Sequence, residues 1–280
     1  MRKRSAKYTV INVAADPHPD GIYHKIFEIS CEKEGQAYGR DWYAKLTPPT
    51  KRLDGLFHGK IGVWHRLAGK AIQESSMEQT DVQALLVDGA KDFGYPSKMF
   101  SWSFRESDHS LFSEIKNDEG ETISPTSLGS AFRAVLLPVA NELQIDLSVT
   151  VLPEIGTVER IYNLPVLKSL EIDFSIPNAG DSLAQEKKDL IDKLRNRGVK
   201  RQISKYTKSS HANTIALDEE LKAEIEVGAE NGHVIAKGKL EDGSADEINT
   251  AAKPRILSRD LKSSDSSVTL LRVIAGQAAE

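Results

Sequence analysis

Between Lys193 and Lys208 the chain carries Lys193, Arg195, Arg197, Lys200, Arg201, Lys205 and Lys208, with no acidic residue among them. The 280-residue chain has a formal net charge of −4, so these cations stand out as a local positive field against a mildly acidic background. Lysine and arginine at this density can neutralise successive phosphates of a nucleic acid, and Tyr206 inside the run could stack on a base. The competing reading is a solvated helix face and loop, helped by pairs such as Asp189 with Lys193, four residues apart. The seven cations and Tyr206 form the candidate nucleic-acid site.

Other chemistry is thinner. Glu171 and Asp173 fall on one face of a predicted strand, a placement some Mg²⁺-dependent nucleases use. Alternation on a half-exposed strand asks for polar residues there in any case. The histidines are His18, His24, His58, His65, His109, His211 and His233, and no pair has the His-Glu-x-x-His spacing of zinc hydrolases. His18 and His24 near Asp16 and Asp20 also fit a polar turn. Cys31 is the single cysteine, so no internal disulfide can form, which fits a reducing cytoplasm. Its position in a predicted amphipathic helix makes it a packing residue. A second basic cluster, Lys51, Arg52, His58, Lys60, His65, Arg66 and Lys70, lies near Trp42 and Trp64 and reads as exposed strand ends beside core tryptophans. Gly21-Ile22-Tyr23 followed by Tyr38-Gly39-Arg40 reproduces the GIY-YIG nuclease pattern only in part, because the second element lacks its isoleucine. There is no glycine-rich phosphate loop and no Gly-x-Ser-x-Gly elbow. No catalytic residue, resident metal or cofactor is expected.

The elements that position these residues follow from periodicity. Tyr8 to Ala15 is β-branched and reads as a strand, and Ile22, Tyr23, Ile26, Phe27 and Ile29 recur at helical spacing up to Gly35. Strands follow at 36–46 and 56–65, and 68–89 reads as a connector. Two strands at 98–105 and 110–116 form a hairpin ending at Asn117-Asp118-Glu119-Gly120. A long helix starts at Ser124-Pro125, with an apolar stripe of Leu128, Ala131, Phe132, Val135, Leu136, Val139, Ala140 and Leu143 and a kink expected from Pro138. Strands at 147–151 and 169–176, where Leu170, Ile172, Phe174 and Ile176 alternate with polar residues, enclose a short helix at 157–163. A polar helix from Asp181 to Arg197 ends at Gly198, a helix over 217–227 ends at Gly228, and Asn231-Gly232 and Asp242-Gly243 flank a small hairpin.

This order is α+β: a mixed, mostly antiparallel sheet with packed helices and a smaller C-terminal α/β region. The expected division is a main sheet domain over 1–178 and a C-terminal region over 179–280 that can pack with it as one unit. Hydrophobic residues at 39% and charged residues at 28% are the proportions of a folded, water-exposed chain. Apolar runs fall far short of the ~20 residues of a membrane span, and the basic start is not followed by a signal-peptide core.

Several segments carry a family resemblance. Tyr38 to Leu46 leading to Leu56-Phe57-His58-Gly59-Lys60-Ile61, the stretch from Asn163 to Ile172 ending at Pro177-Asn178, and Glu230-Asn231-Gly232-His233-Val234 resemble a bacterial and prophage domain-of-unknown-function family, DUF4747. The resemblance spans most of the chain and implies a fold more than a chemistry. Phe93 to Phe100, with the helix start Ser124-Pro125-Thr126, more distantly resembles RexA, the phage-exclusion protein of lambda prophage. That likeness implies DNA binding and a part in aborting infection by competing phages. Together these readings give a cytoplasmic, non-enzymatic nucleic-acid-binding protein of a prophage or mobile element. A protein-interaction module that docks an acidic partner through the tract, and a metal-dependent nuclease using Glu171 and Asp173, are the alternatives. DNA against RNA, and oligomeric state, stay open.

Overall fold

Thirteen residues of strand, β1 (Arg4–Asp16), form the spine of the larger sheet. The computed structural model describes residues 4–51, 56–65, 70–73, 78–81, 97–176, 185–261 and 266–277. After β1 come α1 (Ile22–Glu32), β2 (Gln36–Ala37), β3 (Trp42–Leu46), β4 (Thr50–Lys51), β5 (Leu56–His65), the short pair β6 (Lys70–Gln73) and β7 (Glu78–Asp81), β8 (Ser97–Arg105) and β9 (Ser110–Lys116). The chain continues through α2 (Pro125–Glu142), β10 (Asp146–Val151), α3 (Thr157–Tyr162), β11 (Val166–Ser175), α4 (Gln185–Asn196), β12 (Arg201–Thr207), α5 (Glu219–Asn231), β13 (Gly232–Lys239), β14 (Ala245–Asn249), β15 (Ile256–Leu261) and α6 (Ser267–Gln277).

The larger sheet runs β10-β1-β9-β8-β5-β3-β2, with β15 also on β1 and β4 on β5. The smaller runs β12-β11-β13-β14. Every strand pairing among the described residues is antiparallel, and the fold is α+β as the sequence implies. The sheets do not follow chain order: β11 pairs with β12 and β13, while β15 returns to β1.

β1 is buried on both faces because each is covered. Ile11, Val13 and Ala15 join α1 and α2 in the main core, where the predicted stripe of Leu128, Ala131, Phe132, Val135 and Leu136 is fully buried. Ser124 caps α2 by accepting from the Ser127 N–H at 3.1 Å, and Pro138 lies within the helix. Tyr8 and Val10 face the other way, onto Leu271, Ile274 and Ala275 of α6. That helix is held at both ends. Buried Glu114 accepts from the Ser101 N–H at 2.7 Å and from the Ser267 hydroxyl, and Asp118 accepts from the Ser267 N–H at 3.1 Å. Arg105 donates to the Ala275 carbonyl at 2.6 Å. Acids thus meet the positive end of the helix dipole and a guanidinium meets the negative end.

In the smaller sheet Leu170, Ile172 and Phe174 of β11 pack with Val234, Ala236 and Ile248 against Leu190, Ile191 and Leu194 of α4 and Ile225 of α5. The other face is polar and solvent-exposed along β12.

Some boundaries differ from the sequence reading. The 36–46 strand is two strands joined by a turn with Asp41 at φ 62°. Gly228 does not end a helix: α5 runs on to Asn231, and β13 starts at once, so Asn231-Gly232 is a helix-to-strand junction rather than a hairpin turn. Gly232 is required there, since a Cβ would lie 1.9 Å from the Asp173 carbonyl oxygen. The expected helix start at 181–184, residues 93–96 of the RexA-like segment, most of the 68–89 connector, and Arg52 and Arg66 lie outside the described residues.

The reassignment of Gly228 has a testable sign. A Cβ at this position would sit 2.6 Å from Ile172 Cγ2 and 3.0 Å from Val234 Cγ2. An exposed helix-interior Gly→Ala change stabilises by ~1 kcal/mol. Gly228→Ala is expected instead to destabilise, by about 1–3 kcal/mol of overpacking, measured by urea unfolding.

Candidate nucleic-acid interface

The tract enters the fold through α4, whose buried Leu190, Ile191 and Leu194 fix which side of the helix faces out. Gly198 adopts φ 68° and ends the helix, with its N–H bonding the Arg195 carbonyl at 2.8 Å. The chain then enters β12, where burial alternates. Arg201, Ile203, Lys205 and Thr207 are exposed, while Gln202, Ser204 and Tyr206 lie on the alternate side. Tyr206 packs against the second core, and its hydroxyl donates to Glu224 Oε2 at 2.9 Å. Its ring is therefore on the opposite side of β12 from Arg201 and Lys205. Burial, with the Glu224 hydrogen bond, raises its phenol pKa.

Acid-free in sequence, the tract is matched to acids in space. Lys193 does not pair with Asp189 but reaches Glu220 of α5 at 2.5 Å. Arg195 meets Asp16 at the end of β1 at 3.4 Å. Lys200 pairs with Asp146 at the start of β10. Arg201 grips Asp173 of β11 with two hydrogen bonds, Nε to Oδ1 at 2.7 Å and Nη2 to Oδ2 at 2.5 Å. Lys205 reaches Glu171 at 3.1 Å. Lys208 donates to the Ser209 and Ala212 carbonyls at 2.9 and 2.6 Å, and Arg197 is exposed on the turn. Asp16 and Asp146 are also register partners across β1 and β10. Arg195 and Lys200 thus neutralise two carboxylates that would otherwise repel.

Glu171 and Asp173 share the face of β11 that the alternation implies, each turned to a β12 cation. Among the described residues no group of three or more His, Cys, Asp or Glu side chains is placed to hold a metal ion. The second basic cluster disperses: His58 is buried with its Nδ1 2.8 Å from Ser103 Oγ, and the His65 ring lies 3.8 Å from the Trp42 ring. His18 and His109 meet beside Tyr23, with His109 Nδ1 2.8 Å from the Tyr23 hydroxyl. Burial pushes His109 below the usual imidazole range.

The sequence gives no sign of two further features. Lys187 of α4 is only 12% exposed and sits between Glu226 and Glu230 of α5, at 2.9 and 3.1 Å. Between the β10 edge and the polar face of the smaller sheet lies a cleft of about 540 Å³, lined by α2, β10, β11, Arg201 and the start of β13. Arg133 of α2 reaches into it and donates from Nη2 to the Val149 carbonyl at 2.6 Å. The side chain keeps an exposed flank, but partial burial of its guanidinium lowers its pKa. Asp173 lines the same cleft, and the Arg201 hydrogen bonds hold its carboxyl below the usual range against the opposing effect of burial.

A family model described as "Domain of unknown function (DUF4747)" matches residues 4–276. No curated protein matches the chain, and the expected resemblance to RexA is not shown. No helix among the described residues is long and apolar enough to cross a membrane.

The Arg201 pair sets a pH dependence. A depressed native carboxyl contributes stability that is fully present above the ordinary Asp value near 3.9 and is lost as pH falls through the lower native value. In Arg201→Gln the Asp173 carboxyl, followed by NMR, is expected to titrate at higher pH. The stability gap to wild type should be present at pH 7 and narrow in acid below about pH 4. An unchanged Asp173 titration would remove Arg201 as the cause.

Proposed function

The chain belongs to the DUF4747 family, and we propose from its geometry that it is a non-enzymatic nucleic-acid-binding protein that contacts backbone phosphates along the β12 edge. The observation that supports this is the row of exposed cations from the α4 turn along β12, Arg197, Lys200, Arg201 and Lys205, with half-buried Lys208 just past its end. Lys193 and Arg195 are assigned to holding α5 and β1. The side chains of Lys200, Arg201 and Lys205 are 69%, 60% and 67% exposed. The Lys200 and Lys205 pairs, exposed on both sides, are worth about 0–1 kcal/mol each, so a phosphate can replace their carboxylates at small cost, whereas Arg201 keeps buried Asp173 and offers only the N–H groups outside that pair. The compensation keeps affinity modest and binding independent of sequence. Tyr206 is left out of the contact surface, because its hydroxyl is bound to Glu224 on the far side of the strand.

The biological setting proposed with it is exclusion of competing phage, or defence and counter-defence, in the cytoplasm of a host carrying a prophage or mobile element. It rests on the RexA-like segment. One observation favours a second reading. β12 is an edge strand with no outer neighbour among the described residues, and it shows Ile203 57% exposed. A partner protein could add a strand there.

Nuclease-treated protein titrated with labelled single-stranded and duplex DNA and RNA separates the two. Engagement of five phosphates gives a slope of log K against log salt of about −3.5 on single strands, at ~0.7 per phosphate. Lys200→Glu with Arg201→Glu should weaken binding about tenfold or more, and Lys237→Glu with Lys239→Glu far less. Equal losses, or no binding at low salt, would overturn the nucleic-acid reading. Copurification of a protein that Ile203→Asp abolishes would support the partner.

A further inference from the structure

We infer that the cleft between β10 and the smaller sheet is a binding site for a phosphate monoester, seated on Arg133 and Arg201. The cleft shares Arg201 with the β12 edge, but Arg133 lies on α2 and plays no part there.

Charge comes first. The Arg201 guanidinium is balanced by Asp173, the only carboxylate lining the cleft among the described residues. Arg133 lines it too, and its hydrogen bond goes to the Val149 carbonyl rather than to an acid. The cleft therefore carries one formal positive charge in excess, +2 from the arginines and −1 from Asp173, before any contribution from His233. A guanidinium with no acidic partner among the described residues has its full charge available to an anion, unlike the cations already paired along β12.

Donor geometry selects the anion. Arg133 gives one of its five N–H groups to Val149, and Arg201 holds Asp173 through Nε and Nη2, which leaves Nη1 outside that pair. Hydroxyls of Ser130, Ser148 and Thr150 line the same space. Donors from a helix, a strand and a second sheet suit the three terminal oxygens of a phosphate monoester better than the two of a carboxylate. At about 540 Å³ the cleft is far larger than a phosphate ion and within the range of small-ligand sites, so a nucleoside fits behind the phosphate. That chemistry has two sources, a free mononucleotide or the 5′-terminal phosphate of a strand.

Calorimetric titration of the full chain with AMP, adenosine and inorganic phosphate tests the assignment. AMP and phosphate should bind, AMP at least about tenfold more tightly than adenosine. Arg133→Gln and Ser130→Asp should each cost about tenfold or more in AMP affinity, with circular dichroism confirming that both fold, and Lys222→Glu on distant α5 should leave it unchanged. Ser130 makes no structural ion pair, so Ser130→Asp keeps the test decisive if Arg133→Gln fails to fold. A 5′-phosphorylated oligonucleotide that outcompetes AMP, while its 5′-hydroxyl twin does not, identifies a strand end; competition by neither identifies a free nucleotide. Equal binding of AMP and adenosine, absence of AMP binding at millimolar concentration, or wild-type affinity in folded Ser130→Asp would overturn the site.

Discussion

Asp16 and Asp146 face each other across β1 and β10, and cations from the smaller sheet's side meet both of them at the junction between the two sheets. Like charges directly opposite on antiparallel strands are destabilising. Arg195 from the end of α4 and Lys200 from the turn into β12 relieve that repulsion, each taking one carboxylate. Asn12 of β1 adds two hydrogen bonds of 3.0 Å to Glu230 and Asn231 at the end of α5. These contacts across the seam are all polar. The same contacts set β10 opposite the polar face of the smaller sheet, and the cleft is the space left between them.

This arrangement changes what a basic tract means. Counted along the chain, seven cations in sixteen residues are a polyanion site. Counted in space, five of them have a carboxylate partner: Asp16, Asp146, Glu171, Asp173 or Glu220. The field that remains comes from Arg197, Lys208 and Arg133, and from whatever a competing phosphate can win from the exposed pairs on β12. The modest, salt-sensitive affinity proposed for the edge and the more selective pocket proposed at its end rest on the same charge count.

Much of the fold was legible in the sequence because it rests on local pattern. The stripe from Leu128 to Ala140, the alternation from Leu170 to Phe174, the Ser124 cap and the Gly198 stop each declare themselves within a few residues, and all appear where the pattern places them. Gly228 was misread because glycine is both a common helix end and the only residue that lets Ile172 and Val234 approach this closely; only the packed partner distinguishes the two. The candidate site was harder. Asp16 and Asp146 lie far from the tract in sequence, and nothing near either one announces a cation partner. Arg133 looks like an ordinary polar position on an amphipathic helix until the fold places it in the lining of the cleft. Tyr206 sits among cations in sequence, but strand alternation turns it away from Lys205.

The most direct measurement is a double-mutant cycle on the seam, with Arg195→Gln, Asp16→Asn and the double variant compared by urea unfolding. The two side chains are 28% and 32% exposed, which keeps part of their interaction from solvent screening. If the tract exists to neutralise Asp16 and Asp146, Arg195→Gln should cost stability in wild type and little once Asp16 is Asn, a coupling of about 0.5–1 kcal/mol. An equal cost in both backgrounds would contradict the account and return Arg195 to the candidate phosphate contacts of the tract.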